Sequence, residues 1–258
     1  MIGTITTAAL RDVAQGLMSG AAVGTLLRRA DGKAVWRVPS AGGSLVVKVW
    51  SMPRVRALLL DLLGGGRPGR EIACLRALNT ARIPAPKLLA SARLGREFGS
   101  ATHAVAIEDL GAVPSAVKHW KILLDRGGDL HLRFEAAIVE LTVRMLDCGI
   151  FDFDHSMMNI VPVGDVGAAR IDLECGHLHP GRRRAVRLLG LMLGRLAGSF
   201  VFTAQPDMTA TRRFADRLLA AVRPGAAAMA FAETELQAML AGQCQRSGIE
   251  TRFTLAGS

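Results

Sequence analysis

The sequence predicts an α+β protein with its strands gathered at the front and its helices behind. Three observations predict it. Apolar, β-branched runs separated by turn residues fill positions 24 to 50. Phe134, Ile138, Leu141 and Met145 follow one another at helical spacing and mark a long amphipathic helix from about His131 onward. Between that helix and a C-terminal stretch of helical pattern lies Gly149 to Gly176, which carries Asp154, Asn159 and Asp172 at separations of five and thirteen residues. The organisation expected is an N-terminal part over residues 1–108 and a mostly helical part over 109–258.

Taken in order, the first twenty residues read as a short helix. Gly24 to Arg29 and Ala34 to Val38 then read as two strands joined by Ala30-Asp31-Gly32-Lys33, since Asp-Gly between alternating segments is a hairpin signal. Pro39 to Gly43 turns the chain into a third strand, Ser44 to Trp50. Gly64 to Gly69 reads as a flexible connection, followed by a helix over Arg70 to Leu78 with Ile72, Leu75 and Leu78 toward a core and Glu71 toward the sheet. Pro84 and Pro86 stop that helix. Lys87 to Ala92 and Ala104 to Glu108 supply two more strands, the second running into the turn Glu108-Asp109-Leu110. Gly149 fits the stop of the long helix. Ile160 to Val163 and Ala169 to Leu173 are short strands about a glycine-containing turn, and the remainder is helical in pattern.

Two constellations carry chemistry. Lys48 stands alone in the apolar run Ser44 to Trp50, and a buried ammonium needs an anionic partner. Glu71 is the candidate, although a first-turn carboxylate is also favoured by the helix dipole alone. Asp154, Asn159 and Asp172 supply hard oxygen atoms of the kind that accept a hydroxyl proton and hold Mg²⁺ on a nucleotide's phosphates.

The pattern Asp154-x-x-x-x-Asn159, then strand, turn and a strand ending in Asp172, resembles the protein-kinase-like superfamily. The resemblance implies a bilobal fold: a small lobe with an antiparallel sheet and one main helix, and a mostly helical large lobe. It implies ATP and Mg²⁺, with Asp154 as catalytic base, Asn159 and Asp172 as metal ligands, and Lys48 paired with Glu71 and holding the phosphates. Glu108, Asp109 and Leu110 resemble the hinge whose backbone holds the adenine ring. Gly32, at the hairpin tip, is the one glycine placed to overlie the phosphates, and reads equally as a plain turn residue. The G-x-G-x-x-G loop is missing, Asp172 is followed by Leu173-Glu174, and no Ala-Pro-Glu follows. These departures resemble the small-molecule and sugar kinases of the superfamily.

Leu141 to Ile160, with the Arg-rich segment Arg182 to Leu193, looks like the lipopolysaccharide core kinases, which phosphorylate Kdo or heptose. The likeness spans about residues 24 to 200. It implies a sugar or glycolipid saccharide as acceptor. Asp152 stands where that family usually has histidine; two carboxylates so close raise one pKa by mutual repulsion, and Asp152 is the alternative base to Asp154.

Composition bounds the rest. The formal charge of +10, from 32 basic and 22 acidic residues, favours an anionic partner: nucleotide, acidic glycolipid or membrane surface. Aromatic residues are sparse and no basic stretch is interleaved with Phe or Trp, so no nucleic acid is expected. Arg182, Arg183, Arg184 and Arg187 read as a saccharide- or membrane-facing cluster or as a solvated helix face. The longest apolar runs fall short of the roughly 20 residues of a membrane-spanning helix. Met1 to Leu17 shows no secretory signal. A cytoplasmic protein, peripheral at the inner membrane, is expected. Cys74, Cys148, Cys175 and Cys244 lack metal-binding spacing and read as ordinary thiols. Two other readings compete: a pseudokinase that binds nucleotide or protein, which the missing loop glycines and Asp152 favour, and an aminoglycoside-type phosphotransferase, which the basic charge disfavours.

Overall fold

The computed structural model describes residues 5–30, 32–53, 55, 57–59, 66–248 and 250–255. Asp31 of the predicted hairpin and residues 60–65, which include the start of the predicted glycine connection, lie outside them. The chain forms two compact units: residues 1–80 with 85–112, and residues 81–84 with 113–258.

The first unit is built on a five-stranded antiparallel sheet of order β1-β2-β3-β5-β4, formed by β1 (Thr25–Ala30), β2 (Lys33–Ser40), β3 (Gly43–Ser51), β4 (Leu88–Arg93) and β5 (Ala101–Glu108). Alternation along these strands decides the two faces. Trp36 and Val38 of β2, Val47 and Val49 of β3, and Ala104 and Ala106 of β5 form one apolar face with Leu10, Ala14 and Leu17 of helix α1 (Thr7–Ser19). Thr6 caps α1, its hydroxyl accepting from the Ala9 amide at 3.1 Å. Lys48, between Val47 and Val49, necessarily points to the opposite face, where α2 (Arg67–Thr80) lies beside β4 and β5.

Helix α2 begins at Arg67, earlier than the sequence implied, and residues 67–69 belong to it instead of to a loop. Pro68 explains this: its fixed φ and missing N–H suit a first helical turn, where that donor has no intrahelical partner anyway. Beyond Pro68, the buried residues are Glu71, Cys74, Leu75 and Leu78, an i, i+3, i+4, i+7 face. Ile72 is only partly buried, so the predicted stripe was rotated by about one residue and Glu71 belongs to the core-facing side itself.

The second unit is mostly helical, as the pattern predicted. Helix α3 (Ala116–Arg126) was not anticipated; α4 (Leu130–Asp147) was, and Phe134, Ile138, Leu141 and Met145 are all buried. Gly149 follows α4 at φ 71° with its amide donating to the Leu146 carbonyl at 2.8 Å. A Cβ at this position would stand 2.1 Å from the His179 ring, so space as well as backbone conformation selects glycine. Three helices complete the unit: α5 (Arg182–Ala204), α6 (Met208–Val222) and α7 (Ala226–Ser247). Glu135 of α4, fully buried, binds the Trp120 indole N–H at 3.0 Å and Arg213 at 2.8 Å, tying α3 and α6 to α4. Phe200 stacks on Phe214 with centroids 4.0 Å apart.

Helix α5 is long and apolar enough to cross a membrane by length and composition, where the apolar runs of the sequence implied no such helix, yet 61% of its most apolar window is buried. Its apolarity matches its packing. Gly190, Gly194 and Gly198 form a stripe along which α7 comes close: a Cβ on Gly194 would lie 2.3 Å from the Ala232 carbonyl oxygen and 2.9 Å from the Glu235 Cβ. Substitutions at Gly194 must therefore move α7.

Between α4 and α5 run two small antiparallel sheets, β6 (Ile150–Asp152) with β9 (Gly176–Leu178), and β7 (Ile160–Val163) with β8 (Gly167–Arg170). Strand β9 was unforeseen. Strand β8 stops at Arg170, short of the predicted Leu173, because Asp172 adopts φ 58° and cannot continue an extended strand.

Candidate active site

Within the first unit, the lysine of the apolar strand has the partner the sequence assigned to it. Lys48 Nζ lies 2.5 Å from Glu71 Oε1, with both side chains buried. The strand alternation turns Lys48 away from the α1 face, and the helix periodicity puts Glu71 on the face of Leu75 and Leu78. An ion pair excluded from water is costly to break by removing one partner, since the remaining charge is stranded.

At the end of β5, Asp109 is committed through its side chain. Its carboxylate accepts from Arg37 Nε at 2.6 Å, from the Ser44 hydroxyl at 2.5 Å and from the Gly111 amide at 2.9 Å. Burial raises its pKa, but the hydrogen bonds and charge of its partners prevail and hold it below the ordinary carboxylate value. Asp109 thus ties β2 and β3 to the segment after β5. The Glu108 amide donates to the Lys87 carbonyl at 2.9 Å. Gly32 has φ 70°, and a Cβ there would lie 2.6 Å from the Ser51 carbonyl oxygen; the end of β3 alone accounts for a glycine here.

Within the second unit, one arginine that the sequence reading passed over organises Asp152, Asp154, Asn159 and Asp172. Arg170, completely buried, pairs with the equally buried Asp152. Its guanidinium also donates to the carbonyls of Asn159 at 2.7 Å, Asp154 at 3.2 Å and Asp172 at 3.3 Å, and to that of Ile171. The planar fork of an arginine suits such convergence, where a lysine's point charge would not. Asp152 uses its other oxygen to accept the Asp154 amide at 3.0 Å. Asp152, the alternative base of the sequence, is here a buried brace, enclosed and paired.

Asp154 differs from it in each respect. Its side chain is 40% exposed, and the Asn159 amide nitrogen donates to Oδ2 at 2.9 Å and to the Asp154 carbonyl at 3.0 Å. Burial first, then the charge of Asp152, push its carboxyl above the ordinary value, against the opposing influence of Arg170, Arg195 and Asn159. A raised carboxylate beside a partly open surface is the chemistry of a general base. With the Asn159 nitrogen turned to Asp154, its amide oxygen is left to act as an acceptor. That oxygen and the carboxylate of Asp172 are a hard-oxygen pair of the type Mg²⁺ prefers, so the residues fit that ion. Asp172 is held at its left-handed φ with its carbonyl bonded by Arg170; a non-glycine residue in that region is a conformation the surroundings must impose.

His155, inside the loop, is fully buried and takes no part at the surface. The Thr142 hydroxyl donates to the Ile138 carbonyl at 2.8 Å and so accepts from His155 Nε2 at 2.9 Å, fixing the neutral tautomer. Burial, and then Arg170, lower its pKa well below the ordinary value. The sign follows: below about pH 6.5 the unfolded chain binds a proton the folded chain refuses, so stability falls as pH drops through that range. His155→Gln is expected to flatten the decline between about pH 6.5 and 5, measured by urea denaturation at each pH. An equal slope in both proteins would count against it. Met157 is buried, its amide donating to the Ser199 hydroxyl at 3.0 Å, whereas Met158 is exposed.

No family model and no curated protein matches the sequence. Solved structures do match: the chain superposes on that of WaaP in complex with acyl carrier protein with a TM-score of 0.60 and 18% identity, over 87% of this chain and 92% of that one. The fold is protein-kinase-like. At 18% identity the likeness is one of fold. In all, 1003 chains match, a breadth that speaks to fold and leaves function to the side chains.

Proposed function

We propose that the protein is an ATP-dependent phosphotransferase acting on a hydroxyl of a sugar, with a lipopolysaccharide core saccharide as the acceptor class. The observation that carries the reading is the division of labour between two neighbouring carboxylates: Asp152 sealed against Arg170, Asp154 partly open with a raised pKa. A fold that only bound partners has no chemical need for this difference.

In this reading Asp154 orients the acceptor hydroxyl and takes its proton, while Asn159 holds the Asp154 carboxylate in place. Asn159 and Asp172 hold Mg²⁺, which when bound offsets charge on the β- and γ-phosphates. Lys48, steadied by Glu71, meets the phosphates, and the backbone of Glu108 to Leu110 holds the adenine. Arg182, Arg183, Arg184 and Arg187 are exposed on the first turns of α5. Four cations at the positive end of a helix dipole oppose the local electrostatics, which favours an anionic acceptor, membrane surface or acidic protein against them. A cytoplasmic protein peripheral at the inner membrane accords with such a surface.

Calorimetric titration of ATP with and without Mg²⁺ tests the reading. Metal-dependent binding is expected, lost in Asp172→Ala, followed by phosphorylation of Kdo- or heptose-containing saccharides. Metal-dependent binding without turnover on any saccharide would favour a pseudokinase; unchanged binding in Asp172→Ala would sink the metal assignment.

A further inference from the structure

The loop that carries the base has no cation of its own. Between Asp154 and Asn159 stand His155, Ser156, Met157 and Met158, and the one histidine is buried and neutral. Phosphoryl transfer places charge on the oxygens of the moving group, and enzymes meet it with a fixed positive charge close to the attacking oxygen. In this unit such a charge arrives from a helix. Arg195 of α5 holds Nη1 3.6 Å from Asp154 Oδ1, the carboxylate oxygen not used by Asn159, and Nη2 2.8 Å from Glu235 of α7.

We propose that Arg195 is the cation that contacts the transferring phosphoryl group, aimed by Glu235. This rests on the phosphotransferase reading above. Three features separate Arg195 from an ordinary surface ion pair. Its Nε–H is buried with no hydrogen-bond partner among the described residues, so its donor set is incomplete. Its distance to Asp154 exceeds that of a hydrogen bond, leaving Nη1 donors available beside the base. Its other arm is fixed by a helix approach that the glycines of α5 make possible: Gly194, adjacent in sequence, meets the backbone of Ala232 and the Cβ of Glu235. The close packing of α5 on α7 therefore has a local consequence at the site.

The geometry suits the step. An acceptor oxygen hydrogen-bonded to Asp154 attacks phosphorus from roughly 3–3.5 Å, which brings the phosphoryl oxygens within reach of a guanidinium flanking the same carboxylate. The acceptor O–P bond forms and the bond from phosphorus to the β,γ-bridging oxygen breaks. The acceptor proton passes to Asp154 and the bond's electron pair leaves on ADP. Arg195 meets charge on the equatorial oxygens and exchanges no proton, since a guanidinium stays charged.

The test compares binding of Mg²⁺-ADP with binding of Mg²⁺-ADP-aluminium fluoride, which imitates the moving phosphoryl group. Arg195→Met is expected to leave Mg²⁺-ADP affinity within about twofold and to weaken the aluminium fluoride complex by about 10²-fold, the range of losing one donor to transition-state charge. Arg195→Lys should recover part of that loss, and Glu235→Gln should produce a smaller selective loss. Equal affinity of wild type and Arg195→Met for the fluoride complex would overturn the proposal, as would an equal loss for both ligands, which marks a role in shape alone. Wild-type protein that binds no Mg²⁺-ADP would overturn the phosphotransferase reading and this inference with it.

Discussion

Arg170→Leu is expected to lower the unfolding free energy by about 3–5 kcal/mol, the range for removing one member of a buried ion pair. The reason is what remains behind. Asp152 is fully buried, and without Arg170 its carboxylate keeps, among the described residues, only the Asp154 amide for compensation. Four backbone carbonyls, those of Asn159, Asp154, Ile171 and Asp172, lose a charged donor at the same time. Urea denaturation should show a lower midpoint at unchanged slope, the signature of altered stability without altered compactness of either state. Apolar replacements of buried pairs are often neutral when both partners go. Here Asp152→Leu with Arg170→Leu should recover only part of the loss, because the carbonyls still lack the charged donor and the Asp154 amide loses its acceptor. A single substitution costing under about 1 kcal/mol would show that the pair is not a brace.

How much of this was legible beforehand depends on where each partner sits in the chain. Lys48 was visible because charge interrupts an apolar strand, and Glu71 because it is the carboxylate of the next helical pattern. The rotation of α2 was not, since Ile72 and Cys74 are both apolar enough to satisfy a stripe of spacing three. Pro68 carried the signal for the true helix start. Arg170 was hidden by its position: an arginine ending a short strand reads as an edge residue, and its burial depends on Asp152, eighteen residues earlier in a different sheet. The nearest clue was the carboxylate standing where the resembled family has histidine, since a buried acid calls for a base somewhere. Arg195 was less legible still. Its partner Glu235 lies on another helix, and the glycines that bring the two helices together read in sequence as weak helix formers. Periodicity reports which face of an element is buried; it does not report which two polar residues meet there.

The largest catalytic effect is expected from Asp154→Asn, with turnover reduced about 10²–10⁴-fold, the usual contribution of a positioned general base. The substitution keeps an oxygen able to accept from the Asn159 amide, and the side chain is 40% exposed, so the fold has little reason to respond. Melting temperature and Mg²⁺-ATP affinity should therefore stay near wild type while kcat on a saccharide acceptor collapses. Asp152→Asn makes the informative contrast. It removes the charge that faces Arg170 inside the unit, so its loss should appear in stability first and in activity only through the displaced loop. If Asp154 is the base, the two neighbouring substitutions separate cleanly: one silences turnover in a folded protein, the other unsettles the protein that carries the base. The reverse pattern, with Asp152→Asn folded but inactive and Asp154→Asn active, would transfer the catalytic role to a carboxylate that the structure encloses, and would require the loop to open during each turnover.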